Sequence, residues 1–178
     1  LLAEGEAIEP VGTAVVLVDV TPRIEEKGAE RILAFMKGYP QGFARLEEAA
    51  DAVAEFLPHR SRPRDLSGLA KNLRQGPDGR YRWHWDPQML NSFQLDRVRN
   101  PERMLAAAKG LRTPTLLVRG RMSDIVSEEA VAEFRSLAPH AQYVDVADAG
   151  HMVAGDRNDA FSEAVVNFLT RRRAQTAV

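Results

Sequence analysis

The residues with the clearest chemical potential are an aspartate and a histidine in the last third of the chain. Asp124 follows the apolar run Thr115–Val118, and His151 follows the β-like run Tyr143–Val146. Each residue therefore lies in a loop directly after a predicted strand, with the acid first in the chain. A histidine moves protons near neutral pH when a carboxylate holds its other ring nitrogen. The order and spacing predict that Asp124 orients His151 as an acid–base pair.

A second carboxylate competes for this role. Asp19 ends another apolar run, Ala14–Val18, and the carboxyl ends of parallel strands meet at one rim of a sheet. Asp19, Asp124 and His151 are therefore all expected at the same rim. Thr21 follows Asp19 closely, so the favoured interpretation of Asp19 is that its short side chain stabilises a turn.

The sequence has no nucleophile to complete such a pair. A nucleophile elbow of the form G-x-S-x-G does not occur in the 178 residues. Because the nucleophile and the oxyanion-stabilising groups would have to come from elsewhere, we expect this chain by itself to be inactive. Leu1–Glu6 has neither an initiator methionine nor a basic signal-peptide region, and it resembles the last turn of a helix. We therefore expect the chain to be a fragment.

The composition excludes several classes of function. Apolar residues make up 44% of the chain and the net charge is −1, which gives no electrostatic basis for binding nucleic acid. No apolar stretch is long enough to predict a membrane span. There are no cysteines, which fits a reducing cytoplasm. The four histidines lack metal-ligand spacing, so neither a metal nor a cofactor is expected.

The pattern of elements predicts an α/β fold. Alternation of strands and helices in the first and last parts of the chain is typical of a parallel, doubly wound sheet. The long middle stretch breaks this alternation and predicts a mainly helical cap inserted between two sheet strands. The predicted divisions are a core segment at 1–21, a cap at 22–112 and a C-terminal core at 113–178. The predicted helices are 22–38, 45–57, 66–74, 100–110, 127–137 and one beginning at 156–158, with a further short strand at 81–85.

Four apolar side chains are candidate substrate contacts. Trp83 and Trp85 alternate with Arg82 and His84, as in a short strand. They could line a pocket under the cap, although burial on the inner face of the cap is an alternative that the sequence leaves open. The other candidates flank the predicted acid and base: Val126 and Met152.

The chain resembles the C-terminal part of an α/β-hydrolase of the capped, epoxide-hydrolase-like or haloperoxidase-like group. Asp124 falls on the acid of that family and His151 on its base, and the resemblance implies a nucleophile elbow upstream of residue 1. A serine nucleophile, which hydrolyses esters, is favoured. An aspartate nucleophile, which opens epoxides or haloalkanes through an alkyl-enzyme ester, is the alternative. The resemblance rests on four segments: Val16–Pro22, Thr115–Gly120, Ser123–Val126 and Ala149–Asp156.

The resemblance implies a hydrolase of small, fairly apolar substrates. A non-catalytic ligand-binding protein on the same scaffold is a further alternative, because a fold does not dictate activity. The predicted strand at 14–18 would have an unpaired edge, so we expect either a missing N-terminal segment or a second copy of the chain to cover it.

Overall fold

The computed structural model describes residues 13–86, 88 and 101–176, with side chains as far as residue 171. The chain divides into two compact units, one made of Leu1–Glu30 with Leu95–Val178 and one made of Arg31–Gln94. We refer to them as the sheet unit and the aromatic unit. The predicted helix end at 1–6 and the predicted helix start at Asn100 lie outside the described residues. The aromatic unit covers fewer residues than the predicted insertion at 22–112. The role of that insertion as a cap stays a prediction.

Most elements have bounds close to those expected from the sequence. The short helices α3 and α6 are single turns, whereas the others are long enough to cover a strand. In chain order the elements are β1 (Val15–Val18), α1 (Glu26–Lys37), α2 (Leu46–Phe56), α3 (Ser67–Ala70), β2 (Leu73–Gln75), β3 (Tyr81–Trp83), α4 (Pro101–Gly110), β4 (Thr115–Gly120), α5 (Glu128–Leu137), β5 (Gln142–Val146), α6 (Val153–Asp156) and α7 (Asn158–Thr176).

The sheet unit is built on three parallel strands in the order β1-β4-β5. Val15 pairs with Thr115 in the first ladder, and Leu116 pairs with Gln142 in the second. All six residues of β4 are buried, because a central parallel strand is covered on both faces. Its apolar side chains are Leu116, Leu117 and Val118. The predicted α/β class with a parallel sheet is confirmed.

One hydrophobic core cluster of the sheet unit lies between the sheet and the last two helices. Its buried members come from β4, β5, the following loop and these helices, and Phe161 and Val165 of α7 pack against them. Because all three strands run in one direction, the loops after β1, β4 and β5 leave the sheet at the same rim. The buried members of this core are Leu116, Val118, Val146, Ala149, Val153 and Phe168.

The aromatic unit contains a β-hairpin that was only half predicted. Strands β2 and β3 are antiparallel, with Leu73 opposite Trp83, and the predicted turn at 76–79 joins them. The predicted helix at 66–74 is wrong in its second half, since α3 ends at Ala70. Leu73 is 8% exposed and packs in a small core with Phe43, so burial against β3 overrides the local helical preference.

Candidate functional site

Asp19 is the buried centre of the site. It follows β1 directly, its side chain has 0% exposure, and its backbone N–H donates to the Val118 carbonyl oxygen at 2.7 Å. Its φ is +48°, in the left-handed region that residues other than glycine seldom adopt. Aspartate tolerates this region better than most residues do. Unfavourable backbone conformations of this kind concentrate at functional sites. The chain therefore turns sharply after β1 and directs this carboxylate into the interior.

Three donors from two other loops surround the Asp19 carboxylate. The Gly120 backbone N–H donates to Oδ1 at 3.0 Å, and the Ser123 hydroxyl donates to Oδ2 at 2.5 Å. His151 Nδ1 lies 2.8 Å from the same Oδ2. An ionised carboxylate only accepts hydrogen bonds, so all three donors fit its charged form. The arrangement ties together the loops after β1, β4 and β5.

The pairing of acid and base differs from the one predicted. The carboxylate at His151 Nδ1 is Asp19, so the expected contact of Asp124 with this nitrogen is corrected. After β4 the chain turns back through a bond from the Ser123 N–H to the Gly120 carbonyl at 2.9 Å, which brings the Ser123 hydroxyl to Asp19. The backbone of Asp124 instead packs on α1, where a Cβ on Gly28 would overlap the Asp124 carbonyl oxygen.

The histidine loop is held in place by its backbone. The Met122 N–H donates to the Ala149 carbonyl oxygen at 2.8 Å, and the Gly150 N–H donates to Asp156 Oδ2 at 2.8 Å. Gly120 lies so close to this loop that a Cβ on it would overlap the carbonyl oxygens of Ala149 and Gly150. The absence of a side chain at Gly120 therefore lets the histidine loop approach Asp19.

The contact with Asp19 favours one tautomer of the neutral His151 ring. Because Asp19 accepts at Nδ1, the proton of the neutral imidazole belongs on Nδ1, and Nε2 carries the lone pair. No described residue bonds Nε2, and the side chain is 36% exposed. An imidazole oriented in this way can accept a proton at Nε2 and return it later. The pair therefore has the geometry that a general base and an orienting carboxylate require.

A buried arginine braces the loop after β4. Arg119 Nε donates to the Val126 carbonyl oxygen at 2.7 Å, and its Nη1 lies 3.4 Å from Asp145 Oδ1 on the neighbouring strand. Arg121 Nε also contacts Asp145, at 3.0 Å from Oδ2. Burial raises the pKa of the nearby Tyr143 phenol above its ordinary value, while a hydrogen bond with Arg119 opposes the rise. The Val126 side chain has 0% exposure, so it packs in the interior and the expectation of a substrate contact is corrected.

The two tryptophans lie in a cluster of aromatic rings within the aromatic unit. Trp83 and Trp85 stack with centroids 4.8 Å apart and an interplanar angle of 13°. Phe35 contacts both tryptophans, at 5.5 and 6.4 Å, and Phe43 meets Trp83 edge-on at 5.4 Å. Both tryptophans also border an open cavity of about 940 Å³ in this unit. A role for them in binding substrate stays a prediction, as does one for Met152, which is 53% exposed beside His151.

Residues 13–86, 88 and 101–176 hold neither a metal-binding cluster nor a membrane-crossing helix. No group of three or more histidine or acidic side chains there could hold a metal ion. No helix within those ranges has the length and apolar character needed to cross a membrane.

Sequence reasoning missed Ser123 and Gly120, the two loop residues that bond Asp19. Their signal was faint. Gly120 could be read only as a strand end, and Ser123 only as a polar residue before the predicted acid. The need for a glycine arises from the histidine loop, which lies about 30 residues further along the chain and contacts it only in the folded state.

Comparison with known proteins finds related hydrolases. The chain is 31% identical over 150 residues to a 3-hydroxybutyrate-oligomer hydrolase of Cupriavidus necator, covering 76% of this chain and 49% of that protein. It is 29% identical over 167 residues to the esterase Rv0045c of Mycobacterium tuberculosis, covering 88% of this chain and 52% of that protein. The chain thus spans about half the length of the curated relatives that it matches. No protein-family model matches it.

A solved hydrolase structure also matches the fold of this chain. An α/β hydrolase from Novosphingobium aromaticivorans superposes with a TM-score of 0.67 at 26% identity, covering 89% of this chain and 57% of that one. The chain therefore shares its overall fold with part of a solved α/β hydrolase.

Proposed function

This chain belongs to the α/β-hydrolase fold superfamily, and we propose that it supplies the acid–base half of an active site that hydrolyses short, largely apolar esters. In this proposal His151 is the general base and then the general acid, and Asp19 is the carboxylate that orients it. The proposal concerns the whole protein to which these 178 residues belong, since the relatives are about twice as long.

One observation carries the proposal. The Asp19 carboxylate lies 2.8 Å from His151 Nδ1, while Nε2 remains without a bond to any described residue. In a nucleophile–histidine–acid triad, the buried acid fixes the tautomer and stabilises the imidazolium that forms during the reaction. The full burial of Asp19 supports this role, because a charge pair that is shielded from water interacts more strongly.

The catalytic cycle then has four proton transfers at the same nitrogen, two in acylation and two in deacylation. His151 Nε2 removes the proton of the nucleophile as that group attacks the ester carbonyl, and the resulting imidazolium is stabilised by Asp19. The same proton is delivered to the departing alkoxide, which leaves an acyl-enzyme. Water, deprotonated by His151 in turn, attacks the acyl group. The imidazolium then returns this proton to the oxygen of the nucleophile as the acyl–enzyme bond breaks and the acid is released. Asp19 does not itself take up the proton.

The nucleophile is proposed to be a serine outside the given sequence. No G-x-S-x-G motif occurs within it, and two relatives are named as an esterase and an oligomer hydrolase, which favours acyl chemistry over opening of epoxides or haloalkanes. Labelling of the full-length protein by a fluorophosphonate probe is expected, because such probes react with activated serines. Failure to label an active preparation would favour an aspartate nucleophile.

The proposed substrates are short acyl esters and oligomers of hydroxyalkanoic acids. The name of one relative identifies 3-hydroxybutyrate oligomers as the substrate of that protein. In such oligomers each ester joins small, largely apolar units.

The test is ester hydrolysis by the full-length protein that contains these residues. We expect turnover of p-nitrophenyl butyrate and of the 3-hydroxybutyrate dimer. His151→Ala and Asp19→Asn are each expected to lower kcat by about 10³- to 10⁴-fold, because the base or its correct tautomer is lost. Asp124→Asn is the matched control, since it makes the same chemical change in the neighbouring loop, and we expect a far smaller loss.

Two outcomes would contradict the proposal. Absence of ester turnover by the wild-type protein would reject the activity itself. A loss of kcat in Asp124→Asn as large as in His151→Ala, with Asp19→Asn fully active, would return the orienting role to Asp124.

A further inference from the structure

We infer that Ser123 is a positioning residue that holds the Asp19 carboxylate and, through it, the Nδ1–H tautomer of His151. The inference rests on the proposed function for its kinetic consequences, whereas the structural part can be measured without any activity. Ser123 lies in the loop after β4 and is 2.5 Å from Asp19 Oδ2 through its hydroxyl oxygen.

The direction of the Ser123 hydroxyl is fixed by its other contacts. The backbone N–H groups of Ile125 and Val126 both donate to Ser123 Oγ, each at 3.1 Å. A hydroxyl has two lone pairs and one proton, and backbone N–H groups can only donate. With both lone pairs occupied, the single proton of Ser123 has one remaining direction, which is toward Asp19.

The orientation of the Asp19 carboxylate is likewise fixed by its hydrogen bonds. Oδ2 accepts from Ser123 and from His151, while Oδ1 accepts from the Gly120 N–H. The side chain has no exposed surface, so its hydrogen bonds in the folded protein come from these neighbouring groups. Loss of the Ser123 hydroxyl would leave Oδ2 with His151 as its one donor and free the carboxylate to rotate about its terminal torsion.

Further hydrogen bonds hold the Ser123 loop on the neighbouring strands. Val126 donates through its N–H to Ser123 Oγ, and its carbonyl oxygen accepts from Arg119 Nε at 2.7 Å. Arg119 is anchored in turn on Asp145 of β5. The position of the hydroxyl is therefore set by the sheet rather than by the loop alone.

Three variants of the full-length protein test the inference. Ser123→Ala removes the donor, Ser123→Thr retains it, and Ser127→Ala removes a serine four residues later whose hydroxyl caps α5 by accepting from the Ala130 N–H. Ser127→Ala is the matched control, because it also costs a backbone N–H its acceptor but leaves Asp19 untouched. The measurements are kcat and KM for p-nitrophenyl butyrate and the imidazole ¹⁵N shifts of His151.

Ser123→Ala is expected to lower kcat by about 10- to 100-fold through misplacement of the base, with KM nearly unchanged. Its ¹⁵N shifts should report a mixture of the two neutral tautomers. Ser123→Thr should restore most of kcat and the Nδ1–H tautomer, and Ser127→Ala should keep both. Retention of the wild-type ¹⁵N shifts in a folded Ser123→Ala protein would overturn the inference, whether or not the protein hydrolyses esters. If the wild-type protein proves inactive, the proposed function fails and the ¹⁵N shifts still decide the role of Ser123.

Discussion

The site in the sheet unit and the ring cluster in the aromatic unit differ in whether their buried polar groups are hydrogen-bonded. Around Asp19, a carboxylate without exposed surface has donors on both oxygens. In the aromatic unit, the Asp78–Arg82 ion pair stays at the surface, and the interior is filled by rings. Trp83 Nε1 is buried there without a hydrogen-bond partner among the described residues. A buried polar network needs one specific geometry, whereas stacked rings mainly fill volume.

The two regions are therefore expected to differ in how well they tolerate amino-acid substitutions. Hydrogen bonds weaken steeply with angle and distance, so a small shift of one loop at the Asp19 site affects every partner. Ring packing depends on volume and shape, and it accepts substitutions that conserve both. We therefore expect substitutions at the rim of the sheet to affect activity strongly and substitutions in the ring cluster to affect stability moderately.

The largest effect outside the proposed Asp19–His151 pair is expected at Gly120. In Gly120→Ala, the new Cβ would overlap the carbonyl oxygens of Ala149 and Gly150, so the histidine loop must move away from Asp19. We expect a loss of kcat on the order of 10²-fold and a decrease of about 1–3 kcal/mol in the free energy of unfolding. Ester turnover and urea denaturation measure the two quantities.

Gly68→Ala is the control for this substitution. A Cβ at Gly68 would have no atom within 4 Å, so the same change should leave both kcat and stability close to the wild-type values. If Gly120→Ala behaved like Gly68→Ala, the close approach of the histidine loop would not matter for the site.

A smaller effect is expected for Trp83→Phe. This substitution retains a ring next to Phe43 and removes the N–H group that lacks a partner. The lost ring area and the relieved desolvation cost oppose each other, so the free energy of unfolding should change by no more than about 1 kcal/mol. Trp85→Phe serves as the comparison. A loss of several kcal/mol confined to Trp83→Phe would show that its N–H group contributes to the fold.

The smallest effect is expected for the exposed pair in the hairpin turn. Hydrogen bonds from Arg82 hold the pKa of Asp78 below its ordinary value of 3.8, so any stabilisation by the charged form is present above pH 4 and is lost as the pH falls further. Because the pair is exposed to solvent, Asp78→Asn should leave Tm at pH 7 and physiological salt unchanged within error. A clear drop in Tm at pH 7 that vanishes in acid would show that the pair is stronger than its exposure suggests.

The sequence was sufficient for the framework because its signals are local. The apolar run before Asp19 predicted β1, and the runs before Asp124 and His151 predicted β4 and β5, since a buried parallel strand needs apolar side chains on both faces. The turn at 76–79 was also predicted correctly, from its glycines and proline. Strand β2 was not, because three residues carry no periodicity and Leu73 becomes a strand residue only when β3 lies beside it.

The sequence by itself determined the three strands of the parallel sheet and the histidine, and it brought two carboxylates to one rim. Only the tertiary structure decided which carboxylate reaches His151. That choice depends on how the loop after β4 folds back, on the missing side chain at Gly120 and on the left-handed turn at Asp19. These features involve contacts between residues up to 132 positions apart. No local pattern records such contacts, because their energies arise only when the strands lie side by side.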